Sequence, residues 1–389
     1  MTGRAVRPLR VAHLDHTASA GGAEYALARM FRSGPEWSAV LLLPPTADED
    51  VFTGAVGTVP VRRYGVAQRA GVSSGGTRTL AALGASLLAQ AAATRLRGEF
   101  RSADVIDANT SRAAAYGALA ARTSRVPFVV HLRDIIDTTA LGGAGHALMT
   151  RLVLPRADGV IANSAYTLAA AMPYLRSDAV TRVIPSASGL HRSPAHRHPA
   201  SALRIGMLAR IDPWKGQDLL IEAFAAAFAD GDATLELAGG APFGHDDYVD
   251  ELRTHAVRLG VGERVSLPGH VSDVDALLAT WDVGVQASRR PEPLGQNVLQ
   301  YLAAGVPAVV ADEGGPREWV HDGVNGLRVQ PRDEAALAAA LRRLSDDLPL
   351  LARLGEGARN TPGLLTDIEV TRAHADVYAE VVRRVGARR

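Results

Sequence analysis

The stretch "LRIGMLARIDPWKGQDLLIEAF" (residues 203–224) contains the kind of unit that decides the fold of this chain. It begins with an apolar run typical of a buried strand, passes through a polar turn and ends in a run with helical spacing. Such strand–helix pairs recur along the chain, which indicates βαβ units and parallel sheets covered by helices on both faces. The predicted fold class is therefore α/β, with doubly wound parallel sheets.

The other predicted elements follow the same alternation. In the first half, strands are predicted over 9–16, 38–45, 104–110, 127–134 and 159–164, and helices over 23–33, 78–97 and 111–122. In the second half, strands are predicted over 203–211, 233–240, 265–270, 282–288 and 308–313, and a long last helix over 367–385. The two series are separated by a break in composition.

A chain of 389 residues favours two domains. Residues 184–201 are rich in Ser, Pro and His, which is typical of a linker. We therefore predict an N-terminal Rossmann-like domain over 1–186, a hinge over 187–202 and a C-terminal Rossmann-like domain over 203–366. The last helix, 367–389, is expected to pack back onto the first domain.

The composition excludes several classes of function. A formal net charge of +1 gives no reason to expect a nucleic-acid partner, and the absence of cysteine excludes disulfides, thiolate nucleophiles and cysteine-based metal sites. His191, His196 and His198 could form a metal site, but they lack an acidic neighbour, so a solvated hinge is the preferred interpretation. Without a signal peptide or spanning segment, the chain is expected to be cytoplasmic, soluble or at most resting on a membrane surface.

Lys215, in the turn of the opening stretch, is the only lysine among 42 lysines and arginines. Lysine is a compact point charge on a flexible stem, whereas arginine is a rigid planar fork. A phosphate reached through a narrow gap beside the backbone favours the point charge. Gly216 and a helix start follow directly, and a helix N-terminus also favours an anion. Lys215 is therefore predicted to bind phosphate together with Arg210, although a solvated lysine without a role is the alternative.

The segment "PEPLGQNVLQ" follows a predicted strand and opens a helix. Two prolines stiffen the loop around Glu292, Gly295 lets the helix begin, and Gln296 and Asn297 lie in its first turn. The free backbone amides of this turn are expected to face the crevice at the strand ends. Gln300 lies eight residues beyond Glu292, on the same helix. An ion pair with one of the two preceding arginines is the alternative for Glu292.

Polar residues also follow two strands of the first half. Gly21 and Gly22 form a turn that opens a helix, where backbone N–H groups can approach an anion, although an ordinary tight turn is the alternative. His131, Arg133 and Asp134 crowd at a strand end, and a core histidine held by a backbone carbonyl is the alternative for His131. No Walker A motif, GxGxxG fingerprint or carboxylate cluster of the metal-site type occurs. A diphosphate neutralised by cations and helix dipoles, without a metal ion, is therefore predicted.

The segments "ARIDPWKGQDLLIEAF", "LAGG", "LPGHVSD" and "PEPLGQNVLQYLAAGVPAVVADEGGPREWVHDGVNGLRV" resemble, in this order, the retaining glycosyltransferases of family 4. They cover most of residues 203–330. In the first half, "GGAE", "HLRD" and "VIANSAYT" resemble the same family more loosely. The resemblance implies the GT-B fold, in which two Rossmann-like domains face a central cleft. It also implies sugar transfer from a nucleoside-diphosphate sugar to an acceptor hydroxyl, with retention at the anomeric carbon.

The resemblance further implies roles for the matched residues. Arg210 and Lys215 would bind the donor diphosphate. Glu292 would bind hydroxyls of the donor sugar, and His131 would lie beside the anomeric centre. The implied donor-binding residues are Gly21, Gly22, Gly239, His270, Val271, Leu294, Gly295, Gln296, Asn297 and Gln300. The implied acceptor-binding residues are Arg133, Asp134 and Asn163. No metal ion and no cofactor besides the donor are expected.

One position departs from the family pattern. Gln300 stands where the family usually has a glutamate that grips the ribose hydroxyls. An amide can still hydrogen-bond a diol, but without the charge assistance, which is worth about 1 kcal/mol. We therefore expect a weaker or altered grip on the nucleotide, and the identity of that nucleotide stays open.

Three other functions fit part of the pattern. A nucleotide-sugar 2-epimerase has the same two-domain shape, and Gln300 would suit a non-catalytic nucleotide-sugar-binding protein. A dinucleotide oxidoreductase shares the fold class but needs the missing glycine fingerprint. The acceptor also stays open among small molecules, glycans and lipid-linked compounds. Residues 61–101 carry seven arginines and one acid, Glu99, and could contact a phosphorylated acceptor, an anionic membrane or only solvent.

Overall fold

The structure is a computed structural model that describes residues 7–19, 21–45, 50–54, 56–67, 77–190, 202–241 and 245–388, with only the backbone of residues 77–81. The chain divides into two compact units. Unit 1 comprises Met1–Ala187 and Leu365–Arg389, and unit 2 comprises Ser188–Leu364. The linker histidines His191, His196 and His198 lie outside the described residues.

The described residues form strands and helices in regular alternation. The strands are β1 (Arg10–Leu14), β2 (Ser38–Leu43), β3 (Val61–Arg63), β4 (Val105–Ala108), β5 (Phe128–Leu132), β6 (Gly159–Ala162), β7 (Val180–Val183), β8 (Arg204–Leu208), β9 (Thr234–Ala238), β10 (Val265–Gly269), β11 (Val283–Gln286), β12 (Ala308–Ala311) and β13 (Gly326–Val329). The helices are α1 (Gly22–Arg32), α2 (Thr77–Leu96), α3 (Gly98–Arg101), α4 (Ser111–Ala120), α5 (Thr138–Leu148), α6 (Ala165–Ala171), α7 (Gln217–Ala227), α8 (Asp246–Arg258), α9 (Val274–Leu278), α10 (Gln296–Ala304), α11 (Pro316–Trp319), α12 (Glu334–Asp346), α13 (Leu348–Arg359) and α14 (Asp367–Ala387).

The described strands of unit 1 form a parallel sheet in the order β3-β2-β1-β4-β5-β6-β7. Its inner strands are apolar along almost their whole length because helices cover both faces, and every residue of β4 and β5 is buried. The strand order reverses between β1 and β4. Such a switch point is where ligands bind in open parallel sheets, outside the carboxyl ends of the strands.

Helix α14 returns the chain to unit 1 and packs against α1, β6 and β7. A capping box formed by Thr366 and Glu369 begins the helix, since each side chain bonds to the backbone N–H of the other residue. Tyr378 and Val381 are buried against the sheet. Gly159 leaves the room for this contact, because a Cβ atom there would lie 2.7 Å from Cγ2 of Val381.

Unit 2 has a second parallel sheet, in the order β10-β9-β8-β11-β12-β13, which reverses between β8 and β11. Its core includes Trp281, which lies directly over Gly206 of β8, so that any side chain at this position would collide with the indole. The indole Nε1 of Trp281 donates to Glu236 at 2.7 Å, which satisfies its one polar group. Two doubly wound parallel sheets confirm the predicted α/β class.

Every strand predicted from the sequence is present, and each ends before its predicted last residue because the residues there belong to the following loop. β3, β7 and β13 were not predicted. All three lie at a sheet edge, where one side lacks a neighbouring strand. Within the described residues, no helix is both long enough and apolar enough to cross a bilayer.

Candidate functional site

The candidate residues of unit 2 lie at its switch point, between β8 and β11. The turn after β8 carries Lys215, and the loop after β11 carries Glu292. Gly216 follows the 3₁₀ turn Pro213–Lys215 in a left-handed conformation, with φ at 77°. A Cβ atom there would collide with the carbonyl oxygen of Ala287. Only glycine allows this approach, which brings the two loops together.

Lys215 and Glu292 form a largely buried ion pair. Nζ of Lys215 lies 2.5 Å from Oε1 of Glu292, and the two side chains are 16% and 8% exposed. The hydroxyl of Ser288 donates to the same Oε1 at 2.7 Å. Nζ also lies 4.0 Å from the centroid of the Trp214 ring, whose face attracts a cation. Lys215 therefore has a defined position beside the carboxylate rather than on a solvated face.

The two arginines before the loop have other partners. Nη2 of Arg289 lies 2.6 Å from Oδ2 of Asp218. The guanidinium of Arg290 lies over the Trp214 ring, with Cζ 4.1 Å from the centroid. The alternative of an ion pair between Glu292 and a preceding arginine is therefore wrong, because its cation is the lysine.

Two glycines, Gly314 and Gly315, lie against the backbone of the Glu292 loop. The N–H of Gly315 donates to the carbonyl oxygen of Glu292 at 2.9 Å, and a Cβ atom at Gly314 would lie 2.6 Å from the same oxygen. Gly295, with φ at 76°, precedes α10. In the first turn of α10 the N–H of Val298 donates to the carbonyl oxygen of Gly295 at 2.9 Å, and the helix dipole favours an anion at this end.

The remaining predicted residues of unit 2 lie around the same strand ends. Arg210 is 45% exposed, with Nη2 4.0 Å from Oδ2 of Asp212. Its carbonyl oxygen accepts from Nε2 of Gln217 at 2.7 Å, which fixes the turn. A side chain at Gly239 would collide with the carbonyl oxygen of Ala209, so backbone comes close here as well.

Five donor-binding residues predicted in unit 2 differ in exposure and contacts. Leu294 is buried, Val271 and Gln300 are half-buried, and His270 is exposed directly after β10. Asn297 is half-buried, and its Nδ2 donates to the hydroxyl of Tyr301 at 3.2 Å. These positions are compatible with the predicted roles, which stay predictions.

At the switch point of unit 1, the turn after β1 meets the first turn of α1. The sequence gives no sign of a carboxylate cluster, yet ligand-type atoms of Asp15, His16 and Glu24 lie within 4.8 Å of one another. Oδ2 of Asp15 accepts from Nδ2 of Asn109 at 2.6 Å, and Nδ1 of His16 bonds to the hydroxyl of Thr110 at 2.9 Å. The cluster is thus largely satisfied by neighbouring side chains.

Glu24 lies against the predicted phosphate-binding turn, because a Cβ atom at Gly21 would collide with its carboxylate. Burial, and then the negative charge of Asp15, raises the pKa of Glu24 to about 8. A proton is therefore mostly retained on Glu24 at neutral pH. The turn at Gly21 and Gly22 thus carries less negative charge than the sequence suggests, which makes it compatible with an anion.

His131 is buried at the end of β5. Its Nε2 lies 3.1 Å from Oδ1 of Asp107, and its Nδ1 lies 3.4 Å from Nη2 of Arg133. The ring stacks on His374 of α14, with centroids 4.9 Å apart. The alternative of a histidine held by a backbone carbonyl is therefore wrong, since its polar contacts are side chains. Burial lowers the pKa of His131.

The structure brings two of the three predicted acceptor residues together. Arg133 and Asn163 line one pocket with His131. Nη2 of Arg133 donates to Oδ1 of Asn109 at 2.7 Å, so much of the guanidinium is already engaged. Asp134 instead is exposed and does not line this pocket.

Sequence reasoning missed several groups that now surround the predicted residues. Asp107 carries a signal that could have found it, because a carboxylate inside the otherwise apolar "VIDA" of a buried strand needs a partner. Trp214 lies within the stretch 203–224, and Ser288 lies three residues before Pro291, but neither residue type in its position indicates a partner for Lys215 or Glu292. His374 lies in an ordinary amphipathic helix and carries no sequence signal.

Two family models match the chain, one on each unit. Residues 21–187 match the family described as "Glycosyl transferase 4-like domain". Residues 192–361 match the family described as "Glycosyl transferases group 1". Together the two matches span most of the chain.

The chain is also similar to a solved structure over nearly its whole length. HepE from Anabaena, crystallised in complex with UDP, is 26% identical and aligns over 96% of this chain and 100% of that chain, with a TM-score of 0.79. The chain has the GT-B fold, with two Rossmann-like domains. Sucrose-phosphate synthase from Thermosynechococcus elongatus shares this GT-B fold, with a TM-score of 0.72 at 18% identity over 97% of this chain and 99% of that chain.

Curated relatives of this GT-B chain carry glycosyltransferase names. The putative glycosyltransferase EpsD of Bacillus subtilis is 35% identical over 167 residues, which are 42% of this chain and 42% of EpsD. The D-inositol 3-phosphate glycosyltransferase of Streptomyces bingchenggensis is 28% identical over 295 residues, which are 69% of this chain and 64% of that protein. The match thus spans less than two thirds of either relative.

Proposed function

We propose that the chain transfers a sugar from a nucleoside-diphosphate sugar to a hydroxyl group of an acceptor. The observation that carries this proposal is the buried pair of Lys215 and Glu292 at the switch point of unit 2. A phosphate needs positive partners and a sugar hydroxyl needs an acceptor, and this strand edge offers both beside a helix start. The glycosyltransferase names of the relatives support the same activity and do not favour an epimerase or a non-catalytic binding protein.

In this proposal Lys215 and Arg210 bind the diphosphate. Negative charge grows on the leaving diphosphate as the glycosidic bond breaks, and cations already in place stabilise it without reorganisation. The ammonium group of Lys215 has three hydrogens, so it can keep its bond to Glu292 while donating to a phosphate oxygen. Glu292, whose Oε1 also accepts from the hydroxyl of Ser288, accepts hydrogen bonds from hydroxyls of the sugar in this proposal.

We further propose that transfer retains the anomeric configuration and needs no metal ion. No carboxylate is assigned as a covalent nucleophile, so the departing phosphate assists attack by the acceptor from the same face. His131 lies beside the anomeric centre in this scheme, and the turn of Gly21 and Gly22 meets the diphosphate. Arginine, lysine and helix dipoles supply the positive charge that a metal would otherwise supply.

We propose a UDP-sugar as the donor. The similar HepE structures are described as complexes with UDP, with UDP and glucose, and with UDP-glucose. Because this chain is 26% identical to HepE, the likeness supports UDP as the nucleotide more strongly than glucose as the sugar. Gln300 would bind the ribose hydroxyls through its amide, with a weaker grip than a carboxylate gives.

The arginine-rich segment offers less free charge to an acceptor or a membrane than its sequence suggests. Arg62 and Arg97 both pair with Glu99, at 3.3 Å and 3.2 Å, and Arg63 pairs with Asp50. The side chains of Arg69 and Arg78 lie outside the described residues. Contact of this segment with a membrane, and the cytoplasmic location, stay predictions.

A thermal-shift screen with UDP, GDP, ADP and dTDP sugars, followed by mass-detected transfer to a broad acceptor panel, tests the proposal. We expect a UDP-sugar to stabilise the protein, and transfer to continue in the presence of EDTA. Lys215→Ala should lower turnover by at least about 10²-fold, as expected for loss of one charge-stabilising group. The matched control is Arg253→Ala on α8, which breaks an exposed ion pair with Asp250 on the same helix. Equal turnover of the two variants would remove Lys215 from the mechanism, and epimerisation of donor alone would replace the proposed activity.

A further inference from the structure

A buried carboxylate in unit 1 connects two histidines. Asp107 is fully buried on β4, and its two oxygens face different imidazole rings. Oδ2 is hydrogen-bonded to Nδ1 of His13 at 2.9 Å, whereas Oδ1 lies 3.1 Å from Nε2 of His131, a close contact without hydrogen-bond geometry. Burial opposes ionisation of Asp107, but its contacts with His131 and His13 outweigh burial and hold its pKa well below the ordinary value.

The second partner of His13 reveals where the proton of this ring lies. Nε1–H of Trp37 can only donate, and it lies 2.9 Å from Nε2 of His13. Nε2 of His13 is therefore an acceptor, so the proton is on Nδ1 and is donated to Asp107. His13 is thus neutral, and it leaves the negative charge on the carboxylate.

The same reasoning locates the proton of His131. Arg133 can also only donate, and its Nη2 lies 3.4 Å from Nδ1 of His131. Nδ1 therefore keeps its lone pair, and the proton lies on Nε2, next to Asp107. Burial lowers the pKa of His131 although Asp107 acts in the opposite direction, so the ring is neutral at neutral pH.

His374 of α14 completes the surroundings of His131. The two rings are stacked, with centroids 4.9 Å apart and an angle of 30° between the planes. Nδ1 of His374 donates to the carbonyl oxygen of Val370 at 2.7 Å, one helical turn earlier. Burial lowers the pKa of His374 to about 3, so the stack contains two neutral rings.

We propose that Asp107 and His374 are positioning residues for His131, which they hold with its proton on Nε2 and its lone pair on Nδ1. The charged and titratable groups around the stacked rings of His131 and His374 are Asp107, His13, Arg29, Arg133, Asp367 and Tyr378. In the structure Nη2 of Arg133 lies 3.4 Å from this lone pair. A hydroxyl of the donor sugar that displaces Arg133 can donate to Nδ1 in its place. This last step rests on the proposed function, whereas the state of the ring does not.

Histidine-ring ¹⁵N NMR of the full-length chain without donor tests the ring state directly. The His131 signal is assigned by its loss in His131→Gln. We expect the Nε2–H tautomer at pH 7 in the wild type, and a pKa below the ordinary value of histidine. Asp107→Asn should shift the tautomer population toward Nδ1–H, since the anionic acceptor is gone. A wild-type ring that is charged at pH 7, or that carries its proton on Nδ1, would overturn the proposal even if every variant failed to fold.

The role of His374 is tested by two substitutions. His374→Ala opens the stack to water, so the pKa of His131 should rise toward its ordinary value of about 6.5. His374→Phe keeps a flat ring against His131 and should restore most of the wild-type titration. His255→Gln on α8 of unit 2 is the control and should leave the His131 signal unchanged. An unchanged His131 titration in His374→Ala would remove His374 from the proposal.

Transfer kinetics give a second readout. A displacement of about 1 Å at a reacting centre can lower a rate by about 10²-fold, so His374→Ala should lower kcat by about tenfold or more with little change in KM. The acid limb of its pH–rate profile should move to higher pH, and His374→Phe should restore both. Equal loss of kcat in both variants with an unmoved pH profile would show only a structural role and overturn the proposal. If the wild type turns over no donor at all, the proposed function fails, while the NMR result still decides the positioning.

Discussion

Removal of the amino group of Lys215 should destabilise unit 2 by a measurable amount. Lys215→Met keeps the length of the stem but leaves the carboxylate of Glu292 without its cation. At 2.5 Å and an effective dielectric constant of about 20, the gross attraction is about 7 kcal/mol, and desolvation of both groups offsets part of it. Breaking a buried pair by removing one partner costs about 3–5 kcal/mol. Because Ser288 keeps its bond to Glu292, we expect the lower end, about 3 kcal/mol.

Urea unfolding monitored by tryptophan fluorescence measures this loss. Three of the four tryptophans, Trp214, Trp281 and Trp319, belong to unit 2. In a Glu292→Gln background, Lys215→Met should cost much less, so the double-mutant cycle should give a coupling free energy of at least about 2 kcal/mol. Arg253→Met, which breaks an exposed pair, is the control and should change the free energy of unfolding by less than about 0.5 kcal/mol. A coupling free energy of less than about 0.5 kcal/mol between Lys215 and Glu292 would refute this prediction.

Three further predictions concern stability. Gly216→Ala should lower the Tm more than Gly260→Ala, because both have left-handed backbone, worth about 1–2 kcal/mol, but only Gly216 also has a carbonyl oxygen in the way; equal shifts in Tm would contradict this. The pKa of Glu24, raised to about 8, means that the folded state keeps a proton that the unfolded state loses above about pH 4.3. Stability therefore falls as pH rises from about 4.3 to 8. Glu24→Gln should raise the free energy of unfolding more at pH 8 than at pH 5, and an equal increase at both pH values would contradict this. The pKa of His374 is about 3 in the folded state, so below about pH 6.5 this side chain binds a proton in the unfolded state but not in the folded state. Stability therefore falls as pH drops toward 3. Urea unfolding of the wild type and of His374→Phe measures this loss of stability. Between pH 7 and pH 5 the wild type should lose about 2 kcal/mol more than His374→Phe, and an equal loss in the two proteins would contradict the prediction.

The hydrophobic pattern of the sequence predicts the inner strands of both sheets but does not predict the edge strands β3, β7 and β13. Inner strands such as β12 (AVVA) are buried on both faces, so they read as unbroken apolar runs. The edge strands β3 (VRR) and β7 (VTRV) carry arginines and half-exposed residues, because a charge on an edge strand reaches solvent. Such short polar runs cannot be told from loops by hydrophobic pattern alone.

The candidate site could be predicted only as far as strand ends could be predicted. Lys215 and Glu292 each follow a strand, and the rule that ligands bind at strand ends identified both. That they pair with each other, rather than Glu292 with a neighbouring arginine, depends on the approach of two loops permitted by Gly216. The partnership of His131 and His374 depends on the return of the last helix to unit 1, and residues so far apart in sequence share no local pattern.

The path of the chain also sets an order of assembly during translation. Unit 1 is interrupted after Ala187 and completed only by Leu365–Arg389, whereas unit 2 is one continuous segment. A ribosome therefore releases all of unit 2 before it supplies α14, whose Tyr378 and Val381 fill the sheet of unit 1. Unit 2 can thus fold first, whereas unit 1 keeps an apolar face uncovered until Leu365–Arg389 has been synthesised.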